Sequence, residues 1–202
     1  MAVQRSSEHR TVGVDLKQSP RERLLEAASE LFYAEGIQSV GVDRLIGRAG
    51  VAKASLYTIF GSKQELVRAY LQQRHDQLLG WRRAAIVGID DPVEQILAVF
   101  DSQARDYARP DFNGCAFARA TAEESVGGPI GDAARAFRAD ICALFRELCV
   151  AAGAPDPDLL ATQLQMVYDG GGQAARLERN PAIPAAQRAA AAALVKAALA
   201  TR

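Results

Sequence analysis

Histidine is scarce in this sequence: only His9 and His75 occur among its 202 residues. Two histidines so far apart in the chain do not supply the three or four ligands of a zinc site. The sequence also lacks a phosphate-cradling glycine loop, a Gly-x-Ser-x-Gly nucleophile motif and paired Glu-x-x-His motifs of the di-iron type. These absences argue against an enzyme, and we expect neither a metal nor a cofactor.

Cysteine is also rare, and its three occurrences form an odd set, Cys115, Cys142 and Cys149. Such a set fits a reducing compartment. Cys142 and Cys149 would lie two turns apart on one helix, about 10 Å along its axis, which exceeds the reach of a disulfide. We expect thiols that pack as small apolar groups, with a redox sensor as the alternative.

Long apolar runs are absent. No segment approaches the length of a membrane-spanning helix, and the polar N-terminus lacks the hydrophobic region of a signal peptide. We therefore expect a cytoplasmic protein with no membrane partner. The composition, 49% hydrophobic and 24% charged, is that of a globular chain able to bury a sizeable core. No strand pattern occurs, so the predicted fold class is all-α, with about nine helices.

The formal net charge is zero, which at first argues against a nucleic-acid partner. The charges are unevenly distributed, however. Residues 1–83 carry 13 lysines and arginines against 9 acidic residues, whereas residues 84–202 carry 11 against 15. A basic first part on an acidic body suits a DNA-facing domain attached to a second unit.

The stretch 42–60 predicts two short helices joined by a tight turn. Gly50 stands where the end of the first helix favours a left-handed residue. The residues expected to face inward are Val42, Leu45, Ile46, Ala49, Val51, Leu56, Ile59 and Phe60. The polar side of the second helix then faces outward. This pattern is typical of a helix-turn-helix, although an ordinary helical hairpin within a bundle has the same spacing.

Several motifs around this stretch occur in order. They are Ala-x-x-Leu-Phe-x-x-x-Gly from Ala28, Ala-Gly-Val from Ala49, Leu-Tyr from Leu56, and Phe-x-Ser-Lys-x-x-Leu from Phe60. Start signals flank them, Ser19-Pro20 upstream and Ser62 with Glu65 downstream. The run closely resembles the N-terminal domain of the TetR family of transcriptional repressors, over about the first third of the chain.

The outward face of the second helix indicates the DNA contacts. If this helix enters the major groove, Lys53 and Ser55 reach base edges and Thr58 lies at the groove wall. The family resemblance implies that Tyr57 and Lys63 hold phosphates. The predicted DNA-binding set is Arg44, Lys53, Ala54, Ser55, Tyr57, Thr58 and Lys63.

The chain departs from the family pattern at two places. Ala52 stands where a capping serine is common, and Thr58-Ile59 stands where a basic residue and histidine are frequent. Both changes remove polar contacts to phosphate. Arg44 and Arg48, on the preceding helix, are further candidates for phosphate contact.

The predicted organisation has three parts: a mobile tail (1–18), a helix-turn-helix DNA-binding domain (19–66) and a ligand-binding and dimerisation domain (67–202). Arg5, Arg10 and Lys17 in the tail would touch DNA, or the tail has no role. The resemblance implies that the body binds a small-molecule effector between its helices and forms a homodimer through its last two helices. The alanine-rich final helix, about 185–200, permits close helix approach or simply reflects helix propensity.

Candidate ligand contacts in the body are aromatic residues and one methionine, and plain core packing is the alternative for each. They are Trp81, Phe100, Tyr107, Phe117, Phe145, Met166 and Tyr168. Gly170-Gly171-Gly172 interrupts a helical pattern at a cost of roughly 1 kcal/mol per glycine. A kink, a close helix crossing or a ligand against the backbone would each explain these glycines.

The sequence therefore predicts a ligand-responsive transcriptional regulator. We expect a repressor that binds a palindromic double-stranded DNA operator as a homodimer and is released by a small-molecule effector. The alternative is an all-α small-molecule-binding protein or enzyme whose helix-turn-helix is only structural. Retention on random duplex DNA with a steep salt dependence is expected for the repressor and not for the alternative.

Overall fold

The computed structural model describes residues 18–123 and 128–200. Within these ranges the chain forms nine α-helices and no strand, which confirms the predicted fold class. The helices are α1 (Pro20–Glu35), α2 (Val42–Ala49), α3 (Lys53–Phe60), α4 (Lys63–Ile86), α5 (Pro92–Tyr107), α6 (Ala116–Glu123), α7 (Pro129–Ala151), α8 (Pro157–Glu178) and α9 (Ile183–Ala200). The predicted tail, with Arg5, Arg10 and Lys17, lies outside the described residues except for its last position.

Several helices begin where their capping residues predict. The Ser19 hydroxyl accepts a hydrogen bond from the Glu22 amide at 3.3 Å, and the Glu22 carboxylate accepts one from the Ser19 amide at 2.8 Å. The side chains of Asp91 and Asp156 cap α5 and α8, each directly before a proline. These caps satisfy N–H groups that a helix start leaves unpaired.

The first three helices and the start of α4 share a small apolar core. Leu24, Ala28, Leu45, Leu56 and Leu66 are fully or almost fully buried. The inward side of α3 is narrower than predicted. Ile59 is 36% exposed, and Val51 and Phe60 are only half-buried against the core, because Leu56 is the one residue of this eight-residue helix that is fully buried.

Helix α4 connects this first unit to the rest of the molecule. Its early turns pack on α1 and α3, and its later turns pack on α5, α6 and α7. The buried residues along it include Leu66, Tyr70, Leu71, His75 and Arg82. The helix continues without a break to Ile86. One continuous helix therefore joins the first unit to the body.

The core of the body is built from aromatic contacts. Phe100 and Phe145 stack with their ring centroids 5.3 Å apart, and Tyr168 packs edge-on against both. Phe117 and Phe137 stack at 4.2 Å. These contacts join α5, α6, α7 and α8 into one packed group.

The glycine run lies inside α8, which continues through it without interruption. A methyl group added at Gly171 would lie 2.2 Å from Cδ and Nε2 of Gln187 on α9. One added at Gly172 would lie 3.4 Å from Gln103. Of the three explanations that the sequence left open, a close helix crossing accounts for Gly171.

Candidate DNA-binding surface and ligand cavity

A tight turn sets the relation between α2 and α3. Gly50 ends α2 in the left-handed conformation (φ 62°, ψ 43°), and its amide donates to the Ile46 carbonyl. The Val51 amide donates to the same carbonyl at 3.2 Å. Glycine adopts this conformation without the penalty that a Cβ atom brings. The predicted turn residue is confirmed.

The outer face of α3 is open to solvent. Lys53, Ala54, Tyr57 and Thr58 are exposed, and Ser55 is half-buried at the edge of this face. Ala52 precedes the helix without a side-chain hydrogen bond, as its sequence predicts. The Ser55 amide donates to the Ala52 carbonyl at 3.0 Å, so the N–H groups of Lys53 and Ala54 remain for an acceptor such as a phosphate oxygen.

The cations beside this face are held by carboxylates of the same unit. Arg44 pairs with Glu35 at 2.7 Å, Arg48 with Glu30 at 2.5 Å, and Lys53 with Asp43 at 3.0 Å. The hydrogen bond that Lys53 donates to the Asp43 carboxylate raises the pKa of this lysine, so its side chain is a cation at neutral pH. Such exposed pairs contribute little to stability, and phosphate groups can replace their carboxylates.

Lys63 points partly inward. Its Nζ donates to the Ile37 carbonyl at 2.7 Å and lies 5.9 Å from the centroid of the Phe32 ring. Partial burial lowers the pKa of this ammonium group. Lys63 thus ties the start of α4 to the loop after α1, and its role as a phosphate contact stays a prediction.

A cavity of about 410 Å³ lies in the body, beside the second half of α4. It includes four of the seven predicted ligand contacts, Trp81, Tyr107, Phe117 and Tyr168. The other residues that line it are Tyr33, Arg74, Leu78, Arg82, Gln103, Asp106, Arg109, Phe112, Gly114, Cys115, Ala116, Ala118, Thr121, Ala134, Phe137, Arg138, Asp169, Gly172 and Gln173.

The remaining three predicted ligand contacts lie elsewhere. Phe100 and Phe145 stack on each other in the core and do not line this cavity. Met166 is 65% exposed and borders a separate groove between α7 and α8, with Cys142 and Thr162. Helical spacing identified all three as apolar positions, but it does not distinguish a core from a cavity wall or from an exposed apolar face.

A buried arginine forms the polar end of the cavity. Arg82 is 2% exposed and donates to the Tyr168 hydroxyl at 2.9 Å, to the Ser102 hydroxyl at 2.9 Å and to the Asp106 carboxylate. Burial raises the pKa of Tyr168 to about 12, so its hydroxyl stays neutral and accepts this hydrogen bond. Sequence reasoning missed Arg82. The available signal was a charged residue at the inward position that follows His75 by two helical turns.

A second polar residue, Gln187 on α9, connects its helix to α5 and α8 next to the cavity. The Gln187 amide nitrogen donates to the Gln103 side chain at 2.8 Å, and its oxygen accepts from the Tyr107 hydroxyl at 3.1 Å. Burial raises the pKa of Tyr107, so this hydroxyl also remains protonated. The network fixes α9 against the helices that surround the cavity.

The segment 113–123, which includes α6 and lies beside the cavity, hydrogen-bonds the C-terminal end of α1 and the loop after it. Asn113 Nδ2 donates to the carbonyls of Tyr33 and Ala34, both at 3.1 Å. Arg119 donates to the Tyr33 carbonyl as well. Glu123 accepts from the Gln38 amide at 2.8 Å, in the loop after α1. We call Asn113, Arg119 and Glu123 the α1 clamp.

Tyr33 belongs to both regions. Its hydroxyl accepts a hydrogen bond from the backbone N–H of Asn113 at 2.9 Å and donates one to the Gly114 carbonyl at 3.0 Å. Its side chain also lines the cavity. The cavity and the DNA-facing unit are therefore joined at two places, along α4 and through the α1 clamp.

Comparison with known proteins agrees with this arrangement. Residues 24–70 match the family described as bacterial regulatory proteins, tetR family. The transcriptional activator FasR of Mycolicibacterium smegmatis is 39% identical over 82 residues, which cover 41% of this chain and 37% of FasR. The chain thus aligns with little more than a third of that relative.

Solved structures match over nearly the whole chain. A TetR-family transcriptional regulator from Streptomyces coelicolor has a TM-score of 0.84 and 31% identity, with 89% of this chain and 95% of that one covered. A TetR-type regulator from Streptomyces avermitilis has a TM-score of 0.78 and 38% identity, with 90% and 98% covered.

The fold and the exposed recognition helix define a helix-turn-helix transcriptional regulator. The chain belongs to the TetR family of bacterial regulatory proteins, which confirms the resemblance found in the sequence. Its relatives are transcriptional regulators, and the alternative of an enzyme or binding protein with a merely structural helix-turn-helix is not favoured. No helix in the described part of the chain is long and apolar enough to cross a membrane.

Proposed function

We propose that this protein is a repressor that binds a palindromic operator as a homodimer and is released when a small molecule occupies the cavity. One observation carries the proposal: a recognition helix with an open polar face is joined by α4 and by the α1 clamp to a body that contains a cavity. We infer a cytoplasmic location, since operator DNA is found there.

The DNA contacts are proposed from exposure and charge. The outer face of α3 enters the major groove, where Lys53 and Ser55 reach base edges and Thr58 meets the groove wall. Tyr57, which is 47% exposed, contacts phosphate together with Arg44 and the free N–H groups at the start of α3. Lys63 adds charge beside the α1–α2 loop.

The homodimer is proposed to form through α8 and α9. Leu159, Met166 and Leu177 are between 55% and 68% exposed, and their spacing of 7 and 11 residues places them on one side of α8. Large apolar side chains exposed in a row indicate a protein contact. Small exposed residues continue this surface on α9, namely Ala186, Ala189, Ala190 and Ala193. Leu194, by contrast, packs partly against the core of its own subunit.

Ligand response is proposed to act through α4. Arg74, Leu78, Trp81 and Arg82 all line the cavity from this helix, so an occupant that separates the body helices also shifts α4. Two recognition helices must fit grooves about 34–36 Å apart, and a shift of a few ångströms misplaces one of them. Coupling of this kind is typically worth 1–3 kcal/mol, about a 5- to 150-fold change in operator affinity.

The experiment measures binding of the dimer to the DNA upstream of its own gene at several salt concentrations. We expect tight binding with a steep salt dependence. Tyr57→Phe and Lys63→Ala should weaken binding to all sequences alike, and Lys63→Ala should lower the salt slope by about one unit. Arg105→Ala removes an exposed cation of α5 and serves as the control.

Two outcomes contradict the proposal. If wild-type protein binds no duplex DNA with a salt-dependent affinity, the helix-turn-helix is structural. If Tyr57→Phe or Lys63→Ala alters base preference and leaves the salt slope unchanged, the assigned roles are wrong. Thermal melting of Lys63→Ala checks that loss of the bond to Ile37 has not unfolded the first unit.

A further inference from the structure

We propose that the cavity selects an apolar molecule with one carboxylate, and that Arg74 binds this carboxylate. The inference rests on the proposed function, because it assigns a chemical class to the effector of the same cavity. It also makes Arg74 the residue that determines specificity, a position that helical spacing and motif reasoning did not indicate.

Arg74 lines the cavity from α4 with unused hydrogen-bonding capacity. Its guanidinium carbon lies 4.2 Å from the centroid of the Tyr33 ring, one terminal nitrogen donates to Gln77 at 3.3 Å, and the side chain also hydrogen-bonds the Tyr70 hydroxyl. Its Nε is buried without a hydrogen-bond partner in the described residues. Leaving a buried donor unpaired costs stability, and a ligand oxygen would satisfy it.

The other arginines of the cavity are already paired with carboxylates. Arg82 is bound by Asp106, Arg109 by Asp111 at 2.9 Å, and Arg138 by Asp169 at 2.8 Å. Arg74 interacts electrostatically with Asp111 but forms no ion pair within 4 Å in residues 18–123 and 128–200. The four arginines of the cavity outnumber these three carboxylates by one, and this excess of positive charge favours an anion and disfavours a cation.

The geometry of this guanidinium suits a carboxylate. Its central carbon lies over the Tyr33 ring, and its Nε–H has no hydrogen-bond partner in the described residues, so this N–H can donate to a ligand oxygen. A carboxylate accepts two such parallel bonds, which Lys or a neutral donor does not provide in the same geometry.

The rest of the cavity suits an apolar molecule. Leu78, Trp81, Phe117 and Phe137 contribute its apolar walls. Its volume of about 410 Å³ exceeds what a simple inorganic anion would fill, and it lies in the range of small-molecule pockets, about 300–1,000 Å³. An aromatic or aliphatic carboxylic acid fits both features, because its carboxylate pairs with Arg74 and its apolar part contacts these walls.

The test uses calorimetry on the full-length protein with matched probes. Decanoate and 2-naphthoate are each compared with their uncharged amides, and decanoate also with decylammonium. We expect at least one carboxylate to bind at least about tenfold more tightly than its amide, as loss of a charge-assisted hydrogen bond implies. Arg74→Gln should remove this preference without weakening amide binding.

Two further variants make the result specific. Arg74→Lys keeps the charge but loses the two-pronged geometry, and should bind the carboxylate with intermediate affinity. Arg68→Gln removes an exposed arginine of the same helix that does not line the cavity, and should leave both affinities unchanged. Thermal melting of each variant shows whether it is folded, and Arg74→Lys carries the test if Arg74→Gln is not.

Equal affinity for acid and amide, tighter binding of decylammonium, or failure of both carboxylates to bind would overturn this assignment. Operator binding is measured separately with the same preparations. Carboxylate binding that leaves operator affinity unchanged would support the Arg74 site and refute the effector role of the cavity. If the wild-type protein binds its operator but shows no preference for carboxylate over amide, only the Arg74 site is refuted.

Discussion

Replacing Gly171 with alanine tests whether the close crossing of α8 and α9 requires a residue without a side chain at this position. The new methyl group would lie 2.2 Å from two atoms of the Gln187 side chain, so that side chain must move. Gln187 is only 6% exposed, and its amide bonds Gln103 at 2.8 Å, Tyr107 at 3.1 Å and the Val167 carbonyl at 3.1 Å.

The magnitude follows from these contacts. Three hydrogen bonds are each worth about 1 kcal/mol net, and alanine recovers about 1 kcal/mol of helix propensity relative to glycine. The expected result is a loss of about 2 kcal/mol in the free energy of unfolding. For a chain of this size that corresponds to a fall in Tm of roughly 4–8 °C.

The assay is urea unfolding followed by circular dichroism at a fixed protein concentration, since the stability of a dimer depends on concentration. Gly80→Ala is the matched control, because Gly80 is an exposed helical residue whose added methyl group would meet no atom within 4 Å. It should stabilise the protein by about 1 kcal/mol. The reasoning is refuted if Gly171→Ala stabilises the protein. It is also refuted if Gly171→Ala lowers the free energy of unfolding equally in the wild-type protein and in a Gln187→Ala variant.

Two further substitutions test the buried charge and the subunit contact. Arg82→Met should cost about 3–5 kcal/mol of unfolding free energy because it leaves Asp106 partly buried without its partner, whereas Arg82→Met with Asp106→Leu should cost much less. Urea unfolding measures the stability of the single and the double variant. If Arg82→Met lies within about 1 kcal/mol of the wild-type free energy of unfolding, Arg82 does not have this stabilising role. Met166→Glu should yield folded monomers with weak operator binding, since a two-fold operator requires two linked recognition helices. Light scattering that still shows a dimer would place the contact elsewhere.

The DNA-facing unit was predictable because its determinants are local. Gly50 at the turn, Ser19 before the first helix and the apolar spacing around Leu45 each specify conformation within a few residues of sequence. Ile59 was predicted inward and is exposed, because its spacing from Leu56 fits a broad apolar stripe while the actual contact is narrow. Local patterns indicate the side of a helix but not the width of its contact.

The cavity was less predictable because it depends on contacts between residues distant in sequence. Tyr107 and Phe100 lie on the same helix at similar apolar positions, yet only Tyr107 lines the cavity. The difference arises from Phe145, which fills the space beside Phe100. Arg74 and Arg82 were missed because charged residues on a long helix usually face solvent, and the Tyr33 ring and the Asp106 carboxylate that hold them inward lie on other helices.

The α1 clamp has a consequence for the exchange of parts between related regulators. Asn113 and Arg119 hold the last carbonyls of α1, yet they belong to the body and lie about 80 residues further along the chain. A DNA-binding head cut out at the start of α4 would leave those carbonyls to water. A chimaera that places this head on another regulator's body would need an asparagine and an arginine within hydrogen-bonding distance of the same α1 carbonyls. The natural unit for grafting therefore contains the head, α4 and the segment from Asn113 to Glu123.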